Sequence, residues 1–584
     1  MLPNIKYMIK NWINWDKKSI LYFFIRIPVL ILQPIIIAFV PKAIIDGINN
    51  NKDINKIIAI IIFLSILITL TTWLEPFMSE LIKGSSRIIR MRYAILAFKK
   101  NLNAPYHIIE SYNTREIYQH CEEFYRSDHS SSTEFIKILN QICICILGII
   151  TSLSILYKVD AIIILLIFFT CIIELFSLYI LNKRERIIKN KQNIIFSKFN
   201  YYYNLSKDNS GRKDLKIYGF SNQFIYIMAH LILDCEKLVA NYTKTSISIS
   251  GTRALLNLFR EIIGYVYLVY LVFVNKITIS DFIFYFGIIT GFSNWIVSLV
   301  YYSSSMSRCC YDCQKYRDFI EIKNDSAFDK TNITTVNTIE FKNVNFSYPD
   351  SKNSTITNLS FKINKGERIA IVGKNGSGKT TIIKLLCGLY SPTKGEILIN
   401  GKPQISTQIF SPVFQDYSFL PMTIAENIAV TSEYDKTKLY DAFEKAGILD
   451  KIKSLKDKEN TYMIKEIYKN AADFSGGEKQ KLLLAKAIYK DAPVLILDEP
   501  TAALDPIAEN ELYLKYNELT NDKISFFVSH RLSSTQFCDK IFFIENGEIS
   551  ECGTHEELIK LKKNYYRMYK TQSYYYNKQR QKNE

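Results

Sequence analysis

Six long apolar runs dominate the first 325 of the 584 residues, at about 20–40, 57–74, 136–156, 161–181, 254–274 and 281–302. A bilayer core of about 30 Å takes roughly 20 apolar residues at about 1.5 Å each. Each run therefore reads as a transmembrane helix, because a helix satisfies its own backbone hydrogen bonds where no water can. Beyond residue 325 the apolar runs shorten to strand length and alternate with amphipathic helices. The expected organisation is a six-span α-helical transmembrane domain over 1–325 and a soluble α/β domain over 326–584. A composition of 48% hydrophobic and 22% charged residues looks globular only because it averages the two parts. It excludes a disordered or collagen-like chain, and the split excludes a single soluble domain.

Charge gives the orientation. The net +17 comes from 73 Lys and Arg against 56 Asp and Glu. The short connections 41–56, 157–160 and 275–280 carry only Lys42, Lys52, Lys56, Lys158 and Lys276. The long connection 75–135 carries Lys83, Arg87, Arg90, Arg92, Lys99, Lys100, Arg115 and Arg126, and 182–253 includes Lys183, Arg184, Arg186, Arg212, Lys213 and Lys216. The positive-inside rule then places the long connections, both termini and the α/β domain in the cytoplasm of a multi-pass cell-membrane protein. The same location accounts for the basic balance without nucleic acid as a partner. Lys6, Lys10, Lys17 and Lys18 precede a first run too long for a signal peptide, and no small-residue cleavage site follows.

The long connections read as helical arms rather than linkers, with apolar periodicity at Ile88, Met91, Ile95 and Phe98. Such arms would project on the order of 45 Å, with tips near 105–116 and 208–220. Arg26, Glu75, Glu174 and Glu261 fall in or beside the spans. Charges there are structural pairs, as Arg26 with an acid, or functional groups suited to a cationic cargo. Pro28, Pro34 and Pro76 are expected to kink or end their helices. The 11 Cys read as reduced thiols; Cys309, Cys310 and Cys313 form a C-C-x-x-C cluster without a nearby fourth ligand for zinc.

The α/β part carries two linked motifs. Arg368–Val372 reads as a strand, followed by Gly373-Lys374-Asn375-Gly376-Ser377-Gly378-Lys379-Thr380 and then a helix from Thr381. This is the G-x-x-x-x-G-K-[ST] phosphate loop in its strand–loop–helix setting. Glycines let backbone N–H groups approach phosphate oxygens, the helix N-terminus adds positive potential, Lys379 reaches the β- and γ-phosphates, and Thr380 ligates Mg²⁺. Val494–Leu497 reads as a buried strand ending in Asp498 and Glu499. Asp498 is placed to hold Mg²⁺ and Glu499 to orient or deprotonate the attacking water.

Between these motifs stands Phe474-Ser475-Gly476-Gly477-Glu478-Lys479-Gln480. It resembles the L-S-G-G-Q signature of ATP-binding cassettes. With Gln415, Ala502-Ala503-Leu504-Asp505 and His530 in order, the chain resembles an ABC half-transporter of the exporter type, close in look to bacterial peptide and multidrug exporters. That resemblance implies ATP and Mg²⁺ as cofactors and roles for the matching positions. Tyr348, 25 residues before Gly373, would stack on adenine. Asn375, Gly376, Ser377, Gly378 and Thr381 would complete the phosphate cradle. Gln415 would sense the metal and γ-phosphate. Ser475, Gly476, Gly477 and Glu478 would cap the nucleotide held by the other subunit, with Asp505 at the interface. His530 would hold the γ-phosphate and keep Glu499 oriented. The arm tips resemble coupling helices. The resemblance also implies a dimer, most simply a homodimer, that alternates access across the bilayer as ATP closes it.

Phe474 and Glu478 depart from the usual Leu and Gln, and Lys465–Asp473 lacks the Glu-x-Gly pattern common before exporter signatures. The expected cargo is a peptide, bacteriocin-like or modified; a drug or lipid exporter and an importer of a metal–chelator complex are the alternatives. With the first span starting near residue 20, no peptidase domain precedes it, so leader cleavage is not expected of this chain.

Overall fold

The computed structural model describes the chain except residues 158–172, scattered positions between 174 and 193, and 208, 323–334, 350, 352, 404–406, 415–416, 466, 499–515, 517–518, 521, 530–531 and 573–584. It divides into two compact units: Met1–Leu102 with Arg115–Ile322, and Asn103–Thr114 with Lys323–Glu584.

Among the described residues, the helices of the first part of the chain include α1 (Leu2–Trp15), α2 (Lys18–Asn49), α3 (Ile54–Asn103), α4 (Tyr106–Glu110), α5 (Tyr112–Glu123), α6 (Ser131–Leu156), α7 (Asn209–Ile217), α8 (Ser221–Phe273) and α9 (Ile279–Ile320). Among the described residues, α2, α3, α6, α8 and α9 are long and apolar enough to cross a membrane. They carry five of the six expected spans; the run at 161–181 and Glu174 lie mostly or wholly outside the described residues. Ile58, Ile62, Phe63, Ile66 and Trp73 of α3 point outward. In water such a surface is penalised at about 25 cal/mol per Å²; facing lipid tails it carries no such penalty. This exposure of apolar length makes the unit a multi-pass membrane domain.

Polar side chains hold its interior. Arg26, 4% exposed, donates to the Asn140 Oδ1 at 2.8 Å and to the Glu75 carboxylate at 2.5 Å, and Asn140 in turn donates to the Phe23 carbonyl. One guanidinium thus ties α2, α3 and α6, with the acid partner expected of it. Arg260, also buried, donates to the Ser293 hydroxyl and joins α8 to α9. Lys42 pairs with Asp281 at 2.6 Å between α2 and α9.

Of Pro28, Pro34 and Pro76, expected to kink or end their helices, none ends one: Pro28 and Pro34, with Pro41, lie inside α2 and Pro76 inside α3, as neighbouring groups in a membrane domain can satisfy the freed carbonyls. The stripe Ile88, Met91, Ile95 and Phe98 is exposed, whereas Ile82, Ser86, Ile89, Tyr93 and Ala97 face the core. Both faces of α3 are apolar, and packing selected the one around Tyr93. Its ring meets Phe124 at 5.1 Å and Tyr316 at 5.3 Å. Finally, a helix precedes the first span: α1 buries Asn4, Met8 and Trp12 at four-residue intervals. Asn4 donates to the Cys310 carbonyl and Trp12 to the Ser19 hydroxyl. Cys309, Cys310 and Cys313 pack in this same core with Met8 and Trp12.

The α/β unit holds two sheets. Strands β1 (Thr338–Phe346), β2 (Ile356–Asn364) and β4 (Lys394–Ile399) form an antiparallel sheet in the order β2-β1-β4. Strands β3 (Arg368–Gly373), β5 (Phe410–Val413), β6 (Val494–Asp498), β7 (Ile524–Val528), β8 (Lys540–Glu545) and β9 (Glu548–Gly553) form the order β5-β6-β7-β3-β8-β9, parallel but for β9. β6 and β7 are buried at every position, as strands covered on both faces must be. Helices α10 (Lys379–Leu386), α11 (Ile424–Ala429), α12 (Lys436–Ala446), α13 (Leu449–Ser454), α14 (Gly476–Lys490) and α15 (His555–Leu561) complete the unit.

Candidate functional site

Parallel pairing fixes where the chemistry gathers. β3, β6 and β7 run the same way and in register, with Ile371 beside Val528 and Asp498 beside Val528. The carboxyl ends of parallel strands open on one edge, the ligand-binding edge of α/β sheets. The phosphate loop leaves β3 there, and Asp498 ends β6 there, 4% exposed. Gln415, Glu499, Asp505 and His530 lie outside the described residues.

The loop is built by its glycines. Gly376 and Gly378 hold φ of 78° and 107°, a region that side chains with a Cβ resist. A Cβ on Gly373 would stand 2.3 Å from the Ile544 carbonyl oxygen, so β8 can pass only beside a glycine. Gly378 caps α10, whose first residues are Lys379 and Thr380. The Lys379 side chain is buried and folds back over the loop, donating to the carbonyls of Gly373 at 3.0 Å and Lys374 at 3.1 Å. Asn375 and Thr380 are exposed, and Thr381 is buried. The Ser377 hydroxyl oxygen is buried with no hydrogen-bond partner among the described residues. An orphaned hydroxyl, a lysine ammonium and the start of a helix around a glycine turn fit a polyphosphate.

Tyr348, two residues past β1, is half-buried, and its hydroxyl shares a hydrogen bond with Thr381 Oγ1 at 3.0 Å. Its ring meets Phe346 at 5.1 Å and Tyr390 at 5.3 Å, both near edge-on. Cys387, just after α10, has its thiol pushed up to about 12 by burial, with the charge of Lys490 opposing the shift and that of Asp498 adding to it.

The signature segment forms the start of α14. Ser475 is its N-cap: the hydroxyl accepts from the Glu478 N–H at 3.3 Å, while the Glu478 carboxylate accepts from the Ser475 N–H at 2.8 Å. Glu478 also pairs with Lys451 at 3.2 Å. The Ser475 N–H, then burial acting in the opposite sense, then Lys451 set its carboxyl, with the net result below the usual carboxylate range. Glu in place of the usual Gln thus has a local reason: it closes a capping box and suits the positive end of the helix. Gly476 and Gly477 follow in the first turn. The stretch before the signature, without Glu-x-Gly, closes on itself through Lys465–Asp473 at 3.6 Å and stacked Tyr462 and Tyr468 rings 3.9 Å apart.

One arm tip belongs with this unit. Asn103–Thr114 clusters with the cassette residues, and within it Tyr106 meets Tyr390 edge to face at 5.8 Å while Glu110 lies 3.7 Å from Lys384. Lys384 and Tyr390 were not singled out from sequence. The signal available was their place at the end of the phosphate-loop helix, Lys384 in its last turn and Tyr390 just past it.

The comparisons agree with this geometry. The ABC transporter family matches residues 356–502. The subtilin transport ATP-binding protein SpaT of Bacillus subtilis is 28% identical over 574 residues, which cover 93% of this chain and 90% of that protein. The ATP-dependent lipid A-core flippase of Photobacterium profundum is 34% identical over 294 residues, 49% of this chain and 50% of the flippase. A bacterial Atm1-family ABC exporter with ATP bound has the same fold, with a TM-score of 0.81 at 18% identity over 95% of this chain and 98% of that one. Residues 356–502 are an ATP-binding domain of the ABC transporter family, the domain that binds ATP and couples its hydrolysis to transport. The whole chain has the fold of an exporter-type half-transporter, one cassette fused to one helical membrane domain, a fold that generally works as a dimer.

Proposed function

We propose that this protein is a homodimeric peptide exporter of the cell membrane, with the cassette and both termini in the cytoplasm and a domain boundary near residues 325 and 326. The observation that carries the nucleotide part is the phosphate loop, where the buried Lys379 and the orphaned Ser377 hydroxyl face one glycine turn. Tyr348 offers an aromatic surface for adenine. Gly373, Asn375, Gly376, Ser377, Gly378, Lys379, Thr380 and Thr381 cradle the phosphates. Thr380 and Asp498, with Gln415, are the residues that would hold Mg²⁺, whose charge would offset that of the phosphate oxygens. Glu499 takes the proton of the attacking water, and His530 keeps that carboxylate aligned. Ser475, Gly476, Gly477 and Glu478, with Asp505, meet the nucleotide held by the second copy, since the N-terminus of α14 is suited to an anion.

Peptide cargo is supported by the subtilin transport ATP-binding protein, a relative matched over nearly the whole chain. The test is ATPase activity of the full chain in lipid nanodiscs. Stimulation by a small peptide encoded beside this gene is the expected result. Stimulation by lipid or hydrophobic drugs alone would replace the peptide reading with a flippase or multidrug one.

A further inference from the structure

Lys384 lies in the last turn of α10, and its side chain is only 23% exposed. Its Nζ stands 5.6 Å from the ring centre of Tyr106, 5.9 Å from Tyr348 and 5.6 Å from Tyr390. The Glu110 Oε1 completes the enclosure at 3.7 Å, and the other Glu110 oxygen is buried without a hydrogen-bond partner among the described residues. These groups come from three separated stretches. Tyr348 follows β1, Tyr390 follows α10, and Tyr106 and Glu110 sit on α4 within the tip Asn103–Thr114.

A lysine ammonium drawn out of water needs compensation, and ring faces and a carboxylate supply it only while all are in place. The Tyr348 ring is also held from the other side, through its hydroxyl, by Thr381 next to Thr380. A base stacked on Tyr348 would restrain the same ring that helps enclose the ammonium. Restraining the ring tightens the enclosure, and the enclosure in turn holds α4.

We propose that Lys384 is a positioning residue that joins Tyr348 to the segment Asn103–Thr114, so that filling of the nucleotide site and seating of that segment strengthen each other. This rests on Tyr348 being the adenine-side aromatic, as read above. Linkage makes the effect mutual: whatever factor nucleotide adds to the seating, seating adds to nucleotide affinity.

The experiment is hydrogen exchange on the full chain in lipid nanodiscs, with and without a non-hydrolysable ATP analogue. Wild type should show exchange of the 103–114 amides slowed about fivefold by nucleotide. Lys384→Met should abolish that slowing and raise the KM for ATP by about the same factor, with kcat at saturating ATP affected far less. Lys384→Arg, which keeps the cation, should restore both. Glu110→Gln probes the enclosure from the other side and should weaken the slowing while Lys384 stays in place, which keeps the test alive should Lys384→Met fold poorly. Nucleotide-dependent slowing in Lys384→Met equal to wild type, at unchanged KM, overturns the proposal alone. Absence of nucleotide binding in wild type overturns it together with the reading of the site.

Discussion

The Arg26 guanidinium and the Glu75 carboxylate meet at 2.5 Å, with Arg26 4% exposed and Glu75 29%. The pair crosses from α2 to α3 in the membrane domain, and Asn140 of α6 takes a second guanidinium N–H. Removing Glu75 leaves the buried Arg26 charge without its counterion, which costs about 3 kcal/mol or more, and removing Arg26 leaves a half-buried carboxylate unpaired at a smaller cost. Removing both together leaves no such charge. Arg26→Met and Glu75→Met should each lower the thermal unfolding temperature in nanodiscs, and the double variant should recover most of the loss. A double variant as unstable as the sum of the singles would show that the two charges do not act as a pair.

The phosphate loop separates binding from turnover. Lys379→Ala removes the cation of the cradle and should weaken ATP binding by at least about tenfold, read by titration with a fluorescent nucleotide. Glu499→Gln should retain binding but slow hydrolysis by about a hundredfold or more, and it should accumulate the ATP-closed dimer. Undiminished ATPase in Glu499→Gln would remove that residue from the chemistry.

At the signature helix, Glu478→Ala should destabilise the cassette by about 1 kcal/mol, because it breaks the capping box. The carboxyl of Glu478 is held below its usual range, so its contribution is complete above the unfolded value of about 4.3 and fades as pH falls through the lower folded value. The stability gap between wild type and Glu478→Ala, followed by denaturant titration, should therefore be constant from neutral pH down to about 5 and shrink below about 4. A gap that widens on acidification would contradict the assignment.

Gly287 of α9 approaches α2 so closely that a Cβ there would stand 2.7 Å from the Ala38 Cβ. Ala38 has no flexible end that could swing away. Gly287→Leu should destabilise the membrane domain by about 1–3 kcal/mol through overpacking, measured by thermal unfolding. An unchanged unfolding temperature would mean that the two helices can separate freely.

Much of this was readable from residues alone, for reasons that differ by element. Long apolar runs admit one outcome, so the five described spans fall where hydropathy puts them. The phosphate loop is legible because its glycines answer to backbone geometry and Lys379 to charge. The phase of α3 was not legible, since the stripes around Ile88 and around Tyr93 are both apolar and only the neighbours decide which is covered. α1 hid behind Lys6 and Lys10, which resemble the flank of a membrane span, although Asn4, Met8 and Trp12 already kept a four-residue period. In α8 the acid Glu261 drew attention, yet the adjacent Arg260 is the one buried, 3% exposed against Ser293.

The in-register pairing of β6 with β7 also limits how this chain can vary over time. Loops at the opposite sheet edge can gain or lose residues freely. One residue inserted within Val494–Asp498 would turn the Asp498 carboxylate to the other side of the sheet, because strand side chains alternate with period two. Those five positions therefore act as a fixed ruler: lineages can rewrite their letters but not their number.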